Sequence, residues 1–217
     1  MRVLSQTFSF DFSNCKNNGQ IYDQRGKQFE SLFEQYLIKH CTDKNYFGET
    51  IETICSGKEA VQKTTKKTDL LINDHIICQC KCSHTTWVGG LETTSTQWIE
   101  KLKVPRDISD ILLDLQKTGY RSSYLSEKQQ KTLTEYLSHH MEELLRFVLT
   151  DTMQKTPDFF LIFHDPDKKQ TWVGTIEEYL DVILEKMPIG TFKSGCLLTY
   201  TSGKYQRCKF KIRNPLR

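Results

Sequence analysis

At 217 residues the chain is long enough to bury a real core within one domain. Its 30 lysines and arginines against 27 acids leave a net +3, a balance that by itself names no partner. No run approaches the ~18 continuous apolar residues of a membrane helix, and residues 1–6 lack a signal-like apolar stretch, so the expectation is a cytoplasmic protein with no membrane contact and reduced cysteines.

Residues 1–22 are polar apart from the alternating Phe8, Phe10 and Phe12, which fits a short strand or an ordered arm. Apolar side chains then fall at Phe29, Leu32, Phe33, Tyr36 and Leu37, the spacing of an amphipathic helix, which we place over 23–40. Glu30 and Glu34 lie one turn apart beside that stripe, either as plain surface acids or, for Glu30, as a side chain carried toward a site. Residues 42–67 read as loop, a short strand over 50–55 and a basic connector with Lys63, Lys66 and Lys67.

The segment 68–82 reads as a hairpin: two β-branched and apolar runs, 69–72 and 76–82, flank the turn chemistry of Asn73, Asp74 and His75. A two-residue turn would put Asp69 and Gln79 on opposite faces, whereas a three-residue turn pairs Leu70 with Cys78 and sets Asp69, Gln79 and Lys81 on one face. We expect the second, because Asn, Asp and His enter the left-handed region that such turns need. Asp69 then offers a carboxylate, Gln79 an amide oxygen and Cys80 its backbone carbonyl, an oxygen set suited to Mg²⁺, with Lys81 placed to act on a phosphodiester. The plain alternative is a half-exposed hairpin that holds nothing. Cys78, Cys80 and Cys82 also invite a zinc reading, but zinc ligands usually sit two to four residues apart on a turn, and small buried thiols fit one strand face well.

Residues 83–97 are dense in Ser and Thr around Trp87, Gly89 and Gly90, either a surface loop or a polar reader of phosphates and base edges through Ser83, His84, Thr85 and Thr86. Helices are expected over 105–115 and 126–150, the second opened by a capping box at Ser126 and Gln129. A buried strand over 159–164, a turn at 165–167 and a helix over 175–186 follow. The chain closes with a second hairpin, 196–202 and 205–212, turned at Ser202, Gly203 and Lys204. After Glu185 there are eight basic residues and no acid, the polarity of a surface that meets a polyanion, or else of a basic tail with no partner.

Asp69, nine residues, then Gln79-Cys80-Lys81 resembles the PD-(D/E)xK nuclease signature, with Thr68 in place of its proline and Gln79 in place of its acid. Several further segments in order resemble the type II restriction endonucleases of the MspI group, which cut CCGG: Arg25-Gly26-Lys27 with Phe29-Glu30, Lys67-Thr68-Asp69, Lys81 with Ser83, 157–162, and 199–204 ending in Lys209-Phe210-Lys211. The resemblance implies a mixed central β-sheet flanked by helices, one α/β domain over 1–217, with Asp69 as metal aspartate, Lys81 as catalytic lysine and Glu30 as the helix glutamate. Position 79 carries an amide in this group too, asparagine in the MspI-like enzyme and glutamine in a relative reading GCGC. The basic hairpin, with Lys204, Gln206, Arg207, Lys209 and Lys211, aligns with a segment that enters the major groove, where Arg and Lys read guanine. The implied activity is Mg²⁺-dependent cleavage of double-stranded DNA at a short G·C palindrome, by a monomer or weak dimer with a cognate DNA methyltransferase as genetic partner. A nicking repair nuclease or junction resolvase of the same fold, or an inert duplex-DNA-binding protein, are the rivals.

Overall fold

The computed structural model describes residues 2–63, 68–93, 95–117, 125–150, 158–184, 198–201 and 207–217. They divide into two compact units, one drawn from Met1–Thr85, Lys155–Asp181 and Asn214–Arg217, the other from Thr86–Gln154 and Val182–Arg213. Among the described residues no helix is long and apolar enough to cross a membrane.

The first unit is built on a mixed six-stranded sheet. Its strands are β1 (Arg2–Ser5), β2 (Ile54–Ser56), β3 (Leu70–Ile72), β4 (Ile76–Cys82), β6 (Phe159–Asp165) and β7 (Gln170–Thr175), in the order β1-β7-β6-β4-β3-β2. Only the β4–β6 pair is parallel. Helix α1 (Asn18–His40) lies on one face, where Phe29, Phe33 and Leu37, four residues apart and fully buried, pack with Leu70, Ile72, Cys78, Cys80, Ile162 and Val173. The other face takes the opposite parity: Phe163 stacks on Tyr179 of α7 (Ile176–Ile183) at 5.6 Å, and Trp172 meets the same ring edge-on at 6.0 Å. A short helix, α2 (Gly57–Lys63), follows β2.

Helix α1 starts five residues earlier than the apolar spacing predicts. Asn17 caps it, its side chain accepting the Gln20 N–H at 3.0 Å, and the first two turns carry only the adjacent Ile21 and Tyr22 among polar residues, so periodicity alone carried no signal there. The hairpin turn is as expected: Asn73 (φ 50°) and Asp74 (φ 60°) are left-handed, and Leu70 pairs with Cys78, Leu71 with Ile77 and Ile72 with Ile76. Asn73 also pins the turn to the preceding loop. Its amide donates to Glu49 and to the Thr50 carbonyl, both at 2.7 Å, while its oxygen accepts the N–H groups of Glu52 and Thr53.

Strand β7 was not expected. Thr171, Trp172, Val173 and Gly174 are all buried in mid-sheet, which removes the polar alternation that marks a strand with one wet face.

The second unit holds a three-stranded antiparallel sheet, β5 (Trp87–Thr93), β9 (Arg207–Arg213) and β8 (Leu198–Thr201), with β9 in the middle. Helices α3 (Ser95–Leu102), α4 (Arg106–Lys117), α5 (Glu127–His139) and α6 (Met141–Thr150) accompany it. The expected loop over 83–97 is corrected here, since after a turn at 84–86 it forms β5 and opens α3. The glycines fall where the β5–β9 register shifts between Gly89 and Leu91, so they mark a bulge rather than a loop. The single helix expected over 126–150 breaks at His140. Helix α5 buries only Leu133 and Leu137, whereas α6 is buried at every position from Leu144 to Thr150, which a straight continuation of a half-wet helix does not allow.

Candidate active site

Strand β3 begins at Leu70, so Asp69 sits just before the ladder and its side chain extends it. Its own N–H donates to the Cys78 carbonyl at 2.9 Å, and its Oδ2 accepts the Cys80 N–H at 2.7 Å. This bond fixes the carboxylate against β4. Lys81 follows one residue after Cys80 and is half-buried, while Gln79, sharing its strand parity, is 3 % exposed.

From the facing helix, Glu30 reaches the same place. Its carboxyl is pushed up to about 7, first by burial and then by the Asp69 carboxylate, with Lys81 and Lys27 pulling the other way. Glu30 is therefore within Coulombic reach of both Asp69 and Lys81, so the glutamate that sequence alone left between surface acid and site residue lies near the hairpin.

Two half-buried carboxylates within Coulombic reach of each other are a fit for a divalent cation, which would offset the part of the Glu30 shift that comes from Asp69. Among the described residues no three of His, Cys, Asp and Glu gather closely enough to hold a metal, so a cation here would draw on the Gln79 amide oxygen and the Cys80 carbonyl as well. The thiols next door are of another character. Cys78 and Cys80 are held protonated by burial first and by the Asp69 charge second, and Cys82 is pushed up to about 12 by burial.

Beyond Lys81 the chain turns sharply. Ser83 donates its N–H to the His164 carbonyl at 3.0 Å and offers its Oγ to the Thr85 N–H at 3.1 Å. The buried side chain of Asn214 donates to the Ser83 carbonyl at 3.1 Å, a tether that sequence reasoning missed because the two residues are 131 apart. His84, half-buried, accepts at Nδ1 from Arg25 of α1 at 2.6 Å, and Thr85 and Thr86 complete the turn.

Of the expected DNA readers, Lys204 and Gln206, together with the 202–204 turn, lie outside the described residues. Arg207, Lys209 and Lys211 occupy alternate positions of β9, paired with Thr201, with Thr199 and Glu92, and with Gly89 respectively. Of the alternating positions, Phe210 and Ile212 are fully buried, so β9 is anchored on one face and Lys211 stays half-buried on the other.

No protein-family model matches the chain, and no curated protein matches it either. Among solved structures it is similar to the restriction endonuclease MspI, crystallised in complex with its cognate DNA. The TM-score is 0.65 and the identity 18 %, over 93 % of this chain and 94 % of that one. The chain has a restriction-endonuclease-like α/β fold. In that fold, the mixed sheet carries the Asp69 hairpin as its fourth and fifth strands and α1 across one face.

Proposed function

We propose that the protein is a type II restriction endonuclease that hydrolyses both strands of duplex DNA at a short G·C palindrome, CCGG before GCGC, with Mg²⁺ as cofactor. The observation that carries this reading is the meeting of Glu30, Asp69 and Lys81 at the mouth of a hairpin in a restriction-endonuclease-like sheet.

Asp69 and Glu30 would hold the cation, with the Gln79 amide oxygen and the Cys80 carbonyl completing the oxygen set. Bound there, Mg²⁺ would polarise a phosphate oxygen and make a water acidic enough to attack at neutral pH. Asp69 keeps a fixed direction because the Cys80 N–H holds one of its oxygens. Lys81, on the same strand, supplies the positive charge that offsets what develops on the phosphate and orients the attacking water. Glu30 serves as a second-metal ligand or holds the first ligands in place. Arg207 and Lys209, with Lys204 and Gln206, are the guanine readers in this scheme, since an Arg fork matches O6 and N7 of guanine. Ser83, His84, Thr85 and Thr86 meet the backbone. A host carrying such an enzyme needs a cognate methyltransferase to protect its own DNA, and both would work in the cytoplasm.

Incubating plasmid with the protein and Mg²⁺ tests this directly. Discrete limit fragments support the reading; single nicks alone point to a repair nuclease or resolvase, and shifted but intact DNA to an inert binder. Asp69→Ala should remove cleavage while leaving binding measurable in Ca²⁺, and full activity in that variant would overturn the site assignment.

A further inference from the structure

Arg25 sits on α1 five residues before Glu30, about 7 to 8 Å along the helix axis. Its charge reaches the Cys82 thiol, the neighbour of Lys81. Its guanidinium lies against two aromatic rings, 5.4 Å from the Phe12 centroid and 5.8 Å from that of Tyr22. One of its nitrogens, Nη1, is 2.6 Å from His84 Nδ1. Arginine can only donate, so Nδ1 accepts and the ring proton of a neutral His84 is on Nε2, making that edge a donor as well. Tyr22 stacks on the His84 ring at 5.9 Å and is 54 % exposed.

What is missing from this group is an acid. Among the described residues no carboxylate hydrogen-bonds or ion-pairs with Arg25, and nearby Asp23 is engaged with Lys27 at 2.7 Å. Among the described residues, a guanidinium fixed by two rings and a histidine uses one of its five donors, on His84. The rest, with His84 Nε2–H, form a preset donor surface next to the catalytic hairpin.

We propose that Arg25, oriented by Tyr22 and His84, is a contact for the phosphodiester backbone of the DNA flanking the cleaved bond. This rests on the endonuclease reading given above. The contact is with phosphate and not with a base, so it positions the duplex at Lys81 without selecting its sequence.

The test is binding of labelled duplexes, one with CCGG and one scrambled, followed by anisotropy in Ca²⁺ between about 50 and 200 mM salt. Arg25→Ala should weaken both duplexes equally, about tenfold, and flatten the slope of log affinity against log salt by about 1, the release expected from one phosphate. Arg25→Gln, which keeps an amide to reach His84, should give the same slope change if Arg25→Ala folds poorly. Arg25→Lys should keep the slope while losing affinity. A purely structural Arg25 leaves the slope at the wild-type value, and that result overturns the proposal even where plasmid is still cut. If the wild type binds duplex and Arg25→Ala flattens the slope but the wild type never cuts with Mg²⁺, the phosphate contact stands and the endonuclease reading falls. If the wild type binds no duplex, both fall.

Discussion

His164 should make this fold acid-labile by a calculable amount. It stands on β6 with 1 % of its surface exposed, stacked on Phe29 at 5.2 Å, edge-on to Phe8 at 5.0 Å, close to Phe10, and joined to Thr171 Oγ1 at 2.9 Å. Burial in that ring of phenylalanines holds its pKa at about 4 against an ordinary 6.5, although Asp165 and the Gln170 backbone pull it up. The native ring is neutral, so the unfolded chain takes a proton first as pH falls. Stability is then intact above pH 6.5 and declines as the pH drops toward 4. At ~1.4 kcal/mol per pH unit the full loss is about 3 kcal/mol, and about 2.5 kcal/mol of it is gone by pH 4.5. His164→Gln keeps a partner for Thr171 but cannot titrate. Urea unfolding of both proteins from pH 7 to 4.5 should show the variant weaker at neutrality, where it lacks the aromatic packing, and closing on wild type by about 2.5 kcal/mol at the acid end. Parallel profiles would show that His164 is protonated in the native state and that the cage does not exclude charge.

Lys81→Ala should abolish cleavage while changing duplex affinity only a few-fold; if binding is lost instead, Lys81 is a phosphate anchor and not part of the reaction. Gly174→Ala places a methyl 2.7 Å from the Trp172 ring and 2.9 Å from Glu178 Oε2. Trp172 is buried and that oxygen already accepts the Thr175 N–H, so overpacking should cost about 1–3 kcal/mol in a denaturant titration, and an unchanged midpoint would mean the indole swings aside. Asn73→Ala loses both a left-handed residue suited to φ 50° and four hydrogen bonds to 49–53, about 2–4 kcal/mol in all. Asn73→Gly should recover the backbone part alone, and equal losses in the two would assign the whole effect to the hydrogen bonds.

How much of the fold can be read in the sequence depends on whether a segment has one wet face. Helix α1 shows Phe29, Phe33 and Leu37 against exposed acids and amides, and the Asp69 hairpin carries its turn residues in place, so both are legible, the hairpin down to its three-residue register. Strand β7 is dry on both faces and the run from β5 into α3 is written in Ser, Thr and Gly, so each loses the period that would announce it. The break at His140 is illegible for a third reason. The apolar positions continue through it, and what changes is how much of the helix is covered, which depends on residues distant in the chain.

The site divides in the same way. Asp69, Gln79 and Lys81 sit on one hairpin, and a turn of known length fixes their faces, so local rules suffice. Glu30 needed more. It and Glu34 flank the same apolar stripe and nothing in the helix separates them; the distinction comes from the packing of α1 on Cys78 and Cys80, which brings Glu30 within Coulombic reach of Asp69 and Lys81. Arg25, His84 and Asn214 lie further from local inference, because each acts through a partner 59 or 131 residues away, and the sequence marks none of these pairs by spacing. A guanidinium that meets no acid among the described residues is visible only when its surroundings are. That is why phosphodiester chemistry could be proposed for the hairpin from the chain alone, while the residue proposed to hold the duplex beside it could not be found there.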